Sequence, residues 1–364
     1  MNIEHYDAIV LGTGAVGSAT LLELTRRGLK VLGLDRFPPG HDKGSSHGET
    51  RMIRQSYFEH PDYVPLLKRA YTLWDELDPQ LLVRSGVYYI GPEQGEIICG
   101  VKESARRYDL RLDRVDPSTD QAFSAPASCS TIFEPEAGYL PVEQCIELQL
   151  SLAVAAGAVH RWGEAIQGWS QSAQAFEVRT DTQSYSADHL VVAAGSWANT
   201  LLPDLKLPLR ILRKHLHWFE AQQLQLDSGF FFELDHGQFY GFPTLDGLLK
   251  VGEHSGGEEI TNALSASREP DATDSERVSD FVKTHFPAAG QRVRQAVCFY
   301  TMTPDSQFIV DHHPASKRVA FAAGLSGHGF KFTPVLGKIL ADLVLEGRTD
   351  FDIDFLSRTR AALG

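Results

Sequence analysis

The sequence predicts an α/β protein in which a parallel βαβ unit is interrupted by a second, mostly antiparallel sheet. Three observations carry that expectation. The apolar run Tyr6–Leu11 leads into Gly12-Thr-Gly14-Ala-Val-Gly17, then a helical stretch, then a second apolar run, Lys30–Leu34, closed by Asp35. Residues 216–300 alternate aromatic and β-branched segments with turns, notably Phe230–Phe232, Phe239–Phe242 and Leu248–Val251. Two later runs, Leu190–Gly195 and Val319–Gly324, have the texture of strands buried on both faces and end on glycine.

Taken in order, Tyr6–Leu11 suits a central parallel strand, and Ala15–Arg27 has helical spacing with Gly28 to stop it. Pro38–Ser46 holds two prolines, two glycines and two serines, a loop by composition. Tyr63–Leu77 reads as a helix, Leu82–Ile90 as a strand leading away from the first unit, and Val142–Ala156 as a helix. Thr261–Glu276 is polar, a surface loop with a helix start. Near the end, Thr333-Pro334 make an N-cap and N1 pair. That helix continues through Val335, Leu336, Ile339, Leu340 and Leu343 until Gly347 ends it. The βαβ-type pieces are thus split into three parts around an inserted domain.

The chain has 364 residues, 43% hydrophobic and 22% charged, with core enough for two domains. Its 34 basic and 47 acidic residues give a net charge of −13, which argues against nucleic-acid or anionic-membrane surfaces. The four cysteines, at 99, 129, 145 and 298, form no CxxC, so neither a disulfide framework nor a metal site is expected. With no signal-peptide pattern and no apolar run long enough to cross a bilayer, the expected location is the cytoplasm.

Gly12, Gly14 and Gly17 satisfy GxGxxG between a strand and a helix, with Asp35 ending the next strand. The first glycine permits a tight turn, the second lets phosphate approach the backbone, and the third lets helix and strand pack closely. Pyrophosphate would sit on the helix start at Ala15 and Val16, where unpaired N–H groups favour anions. Asp35, followed by Arg36, would take the adenosine ribose. The motif alone does not separate NAD from FAD. Read alone, Cys298 is a buried strand cysteine, Lys250 an exposed edge lysine and Lys331 a solvated helix-start lysine. Cations are disfavoured at a helix start unless an anion is present, so Lys331 already points to one.

The segment Gly44-Ser-Ser-His47-Gly-Glu-Thr50-Arg51-Met-Ile-Arg54 resembles the flavin-contact loop of the monomeric sarcosine oxidase and N-methyltryptophan oxidase family. Similar matches are Tyr240-Gly-Phe-Pro243, Leu249-Lys250-Val-Gly252-Glu-His254, Val-Cys298-Phe-Tyr300-Thr and Ser326-Gly-His-Gly-Phe-Lys331-Phe. They follow the family's order and spacing down to Asp350-Phe-Asp-Ile-Asp-Phe. The chain departs at Ser46, Glu49 and Gln55, where the family often carries His, Asp and His.

The resemblance implies a glutathione-reductase-like FAD-binding Rossmann domain, residues 1–85, 146–215 and 301–364, with a substrate domain of residues 86–145 and 216–300. It implies FAD tethered through Cys298. The flavin would be contacted by His47, Thr50, Arg51, Ala194, Gly195, Trp197, Gly327, Gly329 and Lys331. Arg54 and Lys331 would hold a substrate carboxylate, and Lys250 would assist dioxygen. His254, Tyr240 and Tyr300 would surround the amine. The implied enzyme is a monomer that oxidises a secondary amino acid to an imine with release of hydrogen peroxide. Two alternatives stay open at this point: an oxidase or dehydrogenase of cyclic or primary amino acids, and a flavin-binding protein without turnover.

Overall fold

In the computed structural model, which describes residues 3–115, 122–172 and 174–363, the first βαβ unit forms as the sequence predicts. Residues 116–121, part of the expected substrate domain, lie outside the described residues. Strand Glu4–Leu11, helix Ala15–Arg26 and strand Val31–Asp35 follow one another, and the strands pair in parallel with Ala8 opposite Val31. The parallel sheet runs Ser316–Ala323, Ser184–Val192, Glu4–Leu11, Val31–Asp35, Val159–Trp162, with Ile309–His313 antiparallel at the first edge.

Glu4–Leu11 is central, so both of its faces are covered. Helices Ala15–Arg26, Tyr63–Leu77, Val142–Ala155 and Thr333–Glu346 pack around Ala8 and Val10 on one side. On the other side, Ile9 and Leu11 meet Phe176, Val178 and Tyr185. The antiparallel strands Ile166–Gln171 and Phe176–Thr180, which continue from Ser184–Val192, supply that cover. Continuous apolar runs are the sequence signature of such two-sided burial.

Among the described residues the second sheet has nine strands, eight of them in the order Glu258–Ile260, Arg210–Glu220, Leu248–Glu253, Gly237–Gly241, Gly229–Leu234, Val87–Pro92, Cys129–Glu134, Asp113–Arg114. Arg292–Met302 joins it by pairing with Arg210–Glu220. One pairing is parallel, Gly229–Leu234 beside Val87–Pro92, and the others are antiparallel. Phe230, Phe232, Phe239, Leu249 and Val251 point to helix Ala272–His285 and build a core with Val278 and Phe281. Side chains alternate along a strand, so their neighbours turn to the opposite face. The register Phe231–Tyr240–Gly252–Leu216, with Trp218 opposite Lys250, Lys214 opposite Cys298 and Leu212 opposite Tyr300, collects those neighbours on one face.

Two expectations need correction. The strand predicted from Leu82 begins at Val87, because Gly86 takes left-handed backbone (φ 74) and breaks the run. Thr333 is not an N-cap. A 3-10 turn, Phe330–Phe332, passes straight into helix Thr333–Glu346, so Thr333 is already helical and its hydroxyl is buried without a partner. Gly347 ends that helix in the left-handed region as expected (φ 71). Among the described residues no helix is long and apolar enough to cross a membrane.

Candidate active site

A cavity of about 2000 Å³, counting its solvent-open mouth, is lined by residues of both sheets. At one end stand Gly12, Gly14, Ala15, Val16, Asp35, Arg36, Ala194, Gly195 and Trp197. Each glycine of the fingerprint meets a different demand. Gly12 has φ 88, and a Cβ there would lie 2.8 Å from the Ala193 carbonyl oxygen. A Cβ on Gly17 would lie 1.8 Å from the Gly12 oxygen, so this position packs the helix on the loop and does not line the cavity. A Cβ on Gly14 would meet nothing within 4 Å.

No packing neighbour therefore requires glycine at position 14, whereas a group approaching the backbone from the cavity does. No side chain caps the helix at Gly14, which leaves its positive end available to an anion. Asp35 closes the turn by accepting from the Thr13 N–H (2.7 Å) and the Phe37 N–H (3.0 Å). A dinucleotide phosphate fits this end.

At the other end Arg54 and Lys331 line the cavity together, both buried. Arg54 donates to Glu59 (2.5 Å) and lies over the rings of Tyr57 and Phe58, 4.4 and 4.3 Å from their centroids. Burial alone would raise the Glu59 pKa, but Arg54 brings it down to about 2, so Glu59 is ionised. Lys331 sits in the 3-10 turn, where its ammonium donates to the His328 carbonyl (2.7 Å). Burial, with Arg54 adding to it, lowers the Lys331 pKa to about 7. Lys331 is therefore not the solvated helix-start lysine that its sequence context suggests when read alone.

Tyr240, His254 and Tyr300 line the same end, joined by Phe231. Their rings are in mutual contact: Phe231–His254 at 5.4 Å, His254–Tyr300 at 5.6 Å and Phe231–Tyr240 at 6.2 Å between centroids. Burial pushes the His254 pKa down to about 3, so the imidazole is neutral at ordinary pH. Burial likewise raises Tyr240 to about 12 and Tyr300 well above the usual range, and both phenols keep their protons.

Four predicted residues stand one layer behind the lining. Lys250 is not an exposed edge lysine: its strand lies between two others, and its ammonium donates to the Thr50 carbonyl and hydroxyl (both 2.9 Å) and to the Gly48 carbonyl. Burial, reinforced by Arg51, pulls its pKa well below the usual lysine value. Thr50 is consumed by that contact. His47 is buried with Nε2 unpartnered, and burial lowers its pKa to about 3. Cys298 is buried beside Leu216, Trp218 and Tyr300, followed in sequence by Phe299 and Tyr300, which do line the cavity. Arg51 lines the cavity with its guanidinium held by the Ser45 (2.7 Å) and Thr50 (2.9 Å) carbonyls.

Gly327 and Gly329 also line the cavity, and the chain itself requires them small. A Cβ at 327 would come within 2.4 Å of the Tyr300 ring, and one at 329 within 2.6 Å of Leu325. The sequence reading missed Glu59, Phe231, Tyr57 and Lys214. Tyr57 is wholly buried, with its hydroxyl on His328 Nδ1. Lys214 alone carried a legible signal, as a lysine in the middle of the strand run Ile211–Phe219.

Residues 7–343 match the family described as FAD dependent oxidoreductase. The chain is 35% identical to a monomeric sarcosine oxidase from Bacillus sp. (strain B-0618) over 99% of this chain and 97% of that protein. It is 36% identical to an N-methyl-L-tryptophan oxidase from Salmonella heidelberg (strain SL476), covering 96% and 97%. Among solved structures it superposes on NikD, described as an unusual amino acid oxidase essential for nikkomycin biosynthesis, with TM-score 0.87, 25% identity and 97% of both chains covered. A glycine oxidase from Geobacillus kaustophilus, 20% identical over 98% of this chain and 99% of its own, shares the fold with TM-score 0.84.

Proposed function

The chain belongs to the family of FAD-dependent oxidoreductases, with the monomeric sarcosine oxidases and N-methyltryptophan oxidases, and from that premise we propose that it oxidises secondary amino acids of the N-methyl type. The products are an imine, which water hydrolyses to an aldehyde and an amino acid, and hydrogen peroxide. One observation carries the reading: two buried cations, Arg54 and Lys331, line the cavity beside the ring wall of Phe231, Tyr240, His254 and Tyr300. Cations at one side and neutral rings at the other suit a carboxylate joined to a secondary amine.

FAD, when bound, supplies the two-electron acceptor for the C–H bond next to the amine and passes the electrons to dioxygen. Arg54 and Lys331 take the carboxylate, the guanidinium offering a planar fork and the ammonium a point charge. Glu59 holds Arg54 aimed before substrate arrives. The neutral His254 can accept a hydrogen bond from the amine, and the protonated phenols of Tyr240 and Tyr300 bound the space around it. Lys250 is the candidate cation for dioxygen reduction, since a fixed charge away from water acts strongly on charge that develops nearby.

We assign the covalent flavin link to Cys298, on the sheet face it shares with Tyr240, Lys250 and Tyr300. The nucleotide domain in this reading comprises residues 1–85, 146–215 and 301–364, and the substrate domain 86–145 and 216–300, a division that strand Arg210–Glu220 straddles. Four free cysteines fit a reducing compartment such as the cytoplasm. A monomer follows the name of the Bacillus relative.

The test is anaerobic mixing of the holoenzyme with sarcosine, N-methyltryptophan, pipecolate and glycine, followed by peroxide measurement in air. Bleaching of the flavin by an N-methyl amino acid, with peroxide on aeration, is expected. Bleaching by glycine or pipecolate alone would move the substrate class, and bleaching by none would end the oxidase reading. Acid denaturation tests the tether: flavin stays with the wild-type chain and leaves Cys298→Ser.

A further inference from the structure

Strand Arg210–Glu220 carries Lys214 directly opposite Cys298 in the antiparallel ladder. Lys214 is 2% exposed. Its ammonium donates to three successive carbonyls, those of His254 (3.3 Å), Ser255 (2.6 Å) and Gly256 (3.1 Å). Three donated bonds describe the protonated side chain, since a neutral amine has only two N–H groups. The ammonium also lies 5.4 Å from the centroid of the Tyr300 ring, and the Tyr300 hydroxyl is 3.5 Å from His254 Nδ1. One buried cation thus touches the backbone of the first wall residue and the ring of the second.

Among the described residues no carboxylate contacts that ammonium. Burial pulls the Lys214 pKa below the usual lysine value, and the acids whose fields oppose that pull, Glu253 and Asp274, are engaged by Arg277 (2.6 Å) and His217 (2.7 Å). Carbonyl dipoles and the face of the Tyr300 ring stabilise Lys214. A buried ammonium without a paired carboxylate is costly, and holding three carbonyls at once requires the third N–H and with it the charge.

We propose that Lys214 is a positioning residue: its clamped ammonium fixes the turn that carries His254 against Tyr300 and keeps that wall free of a second positive charge. The inference rests on the reading that this wall receives the substrate amine. An imidazolium there would repel a substrate ammonium and could not accept a hydrogen bond from the amine. The groups facing His254 are Glu59, which favours its protonation, and Lys214, His328 and Arg54, which oppose it, with Tyr240 and Tyr300 at its ring edges. Burial acts first on His254, and Lys214 acts in the same direction.

The experiment uses the holoenzyme and three variants. Lys214→Met removes bonds and charge, Lys214→Gln keeps a donor for the carbonyls without charge, and Lys214→Arg keeps charge. Histidine titrations are followed by NMR with His254 assigned through His254→Asn, and kcat/KM for sarcosine is measured against pH. In the wild type His254 should stay neutral from about pH 5 upward, given its pKa of about 3. In the Gln and Met variants its titration should move up, and kcat/KM should fall about tenfold on the acidic side, with Arg restoring both.

An unchanged His254 titration in folded Lys214→Gln overturns the proposal, as does restoration by Gln and not by Arg. If the variants do not fold, the wild-type Lys214 nitrogen resonance decides: a neutral amine at neutral pH overturns the proposal, and an ammonium beside an untitrated His254 upholds it. The NMR readouts need no substrate. Failure of every secondary amine to bleach the flavin would therefore strike the oxidase reading and leave the Lys214–His254 coupling to be judged by titration.

Discussion

At the nucleotide end of the cavity, the consecutive residues Gly12 to Gly17 make a surface out of backbone, and the demands on them are steric: a turn, an opening and a packing contact. At the substrate end, Arg54, Tyr240, His254, Tyr300 and Lys331 arrive from distant segments of the chain and are balanced by charge and burial. The first end is built mainly from one contiguous segment, joined by Ala194, Gly195 and Trp197. The second exists only when both sheets have formed, and each buried charge in it depends on a particular partner.

The largest expected effect breaks the first end. Gly17→Ala places a methyl group 1.8 Å from the Gly12 oxygen, a backbone atom with nowhere to turn, so a soluble flavoprotein should be lost. Gly14→Ala sharpens the point, because its methyl meets nothing within 4 Å. The Gly14→Ala chain should fold with stability changed by no more than about 1 kcal/mol while its flavin-to-protein ratio drops. Thermal melts and flavin absorbance read both, and a full flavin complement in Gly14→Ala would remove the phosphate from this end.

The next effect tests whether the second end is balanced by charge. Arg54→Met leaves Glu59 buried and unpaired, which should cost about 3–5 kcal/mol of stability. It should also cost about 100-fold in kcat/KM, from the lost charge-assisted contact to the carboxylate. Adding Glu59→Gln should recover most of the stability in denaturant melts and none of the activity. Recovery of both would mean that the guanidinium is structural.

The smallest effect is a pH dependence. The Lys331 pKa in the folded chain is about 7, depressed from 10.5. Below about 7 the ammonium is present to meet a carboxylate, and above it binding must first take up a proton. Acetate, read through perturbation of the flavin spectrum, should therefore bind more weakly as pH rises through that value, by up to tenfold per unit. Lys331→Met should flatten the dependence. For stability the sign is opposite: the unfolded chain holds the lysine proton more tightly, so this group's contribution rises with pH between about 7 and 10.5. Turnover adds an acidic limb, because the substrate amine has to be neutral when it is oxidised.

Legibility in the sequence follows the same division. The βαβ unit was visible because fingerprint, strands and Asp35 are contiguous, and helix Tyr63–Leu77 forms over the residues its spacing predicts. Boundaries that depend on neighbours were not visible: the strand start at Val87 is set by the backbone of Gly86, and the fate of Thr333 by the turn before it. The residues at the substrate end could be named only through the family resemblance. Periodicity does not say that Arg54 turns back on Glu59, or that a strand lysine at 214 reaches the carbonyls after His254. It also made Lys250 an edge residue, because strand order is not written in a strand's own sequence.

The cations gathered inside stand in a chain whose overall charge is −13. Arg54, Lys214, Lys250 and Lys331 are all buried, so the excess negative charge is carried by the rest of the chain. A zwitterionic amino acid crosses the outer field without net force and gives up its carboxylate only on arrival. A simple carboxylate is slowed by long-range repulsion on its way to the same cations. Added salt screens that repulsion, so it should speed capture of the monoanion and leave capture of the zwitterion unchanged. The acidic exterior thereby acts as a kinetic sieve, sorting solutes by net charge before any of them touches the site.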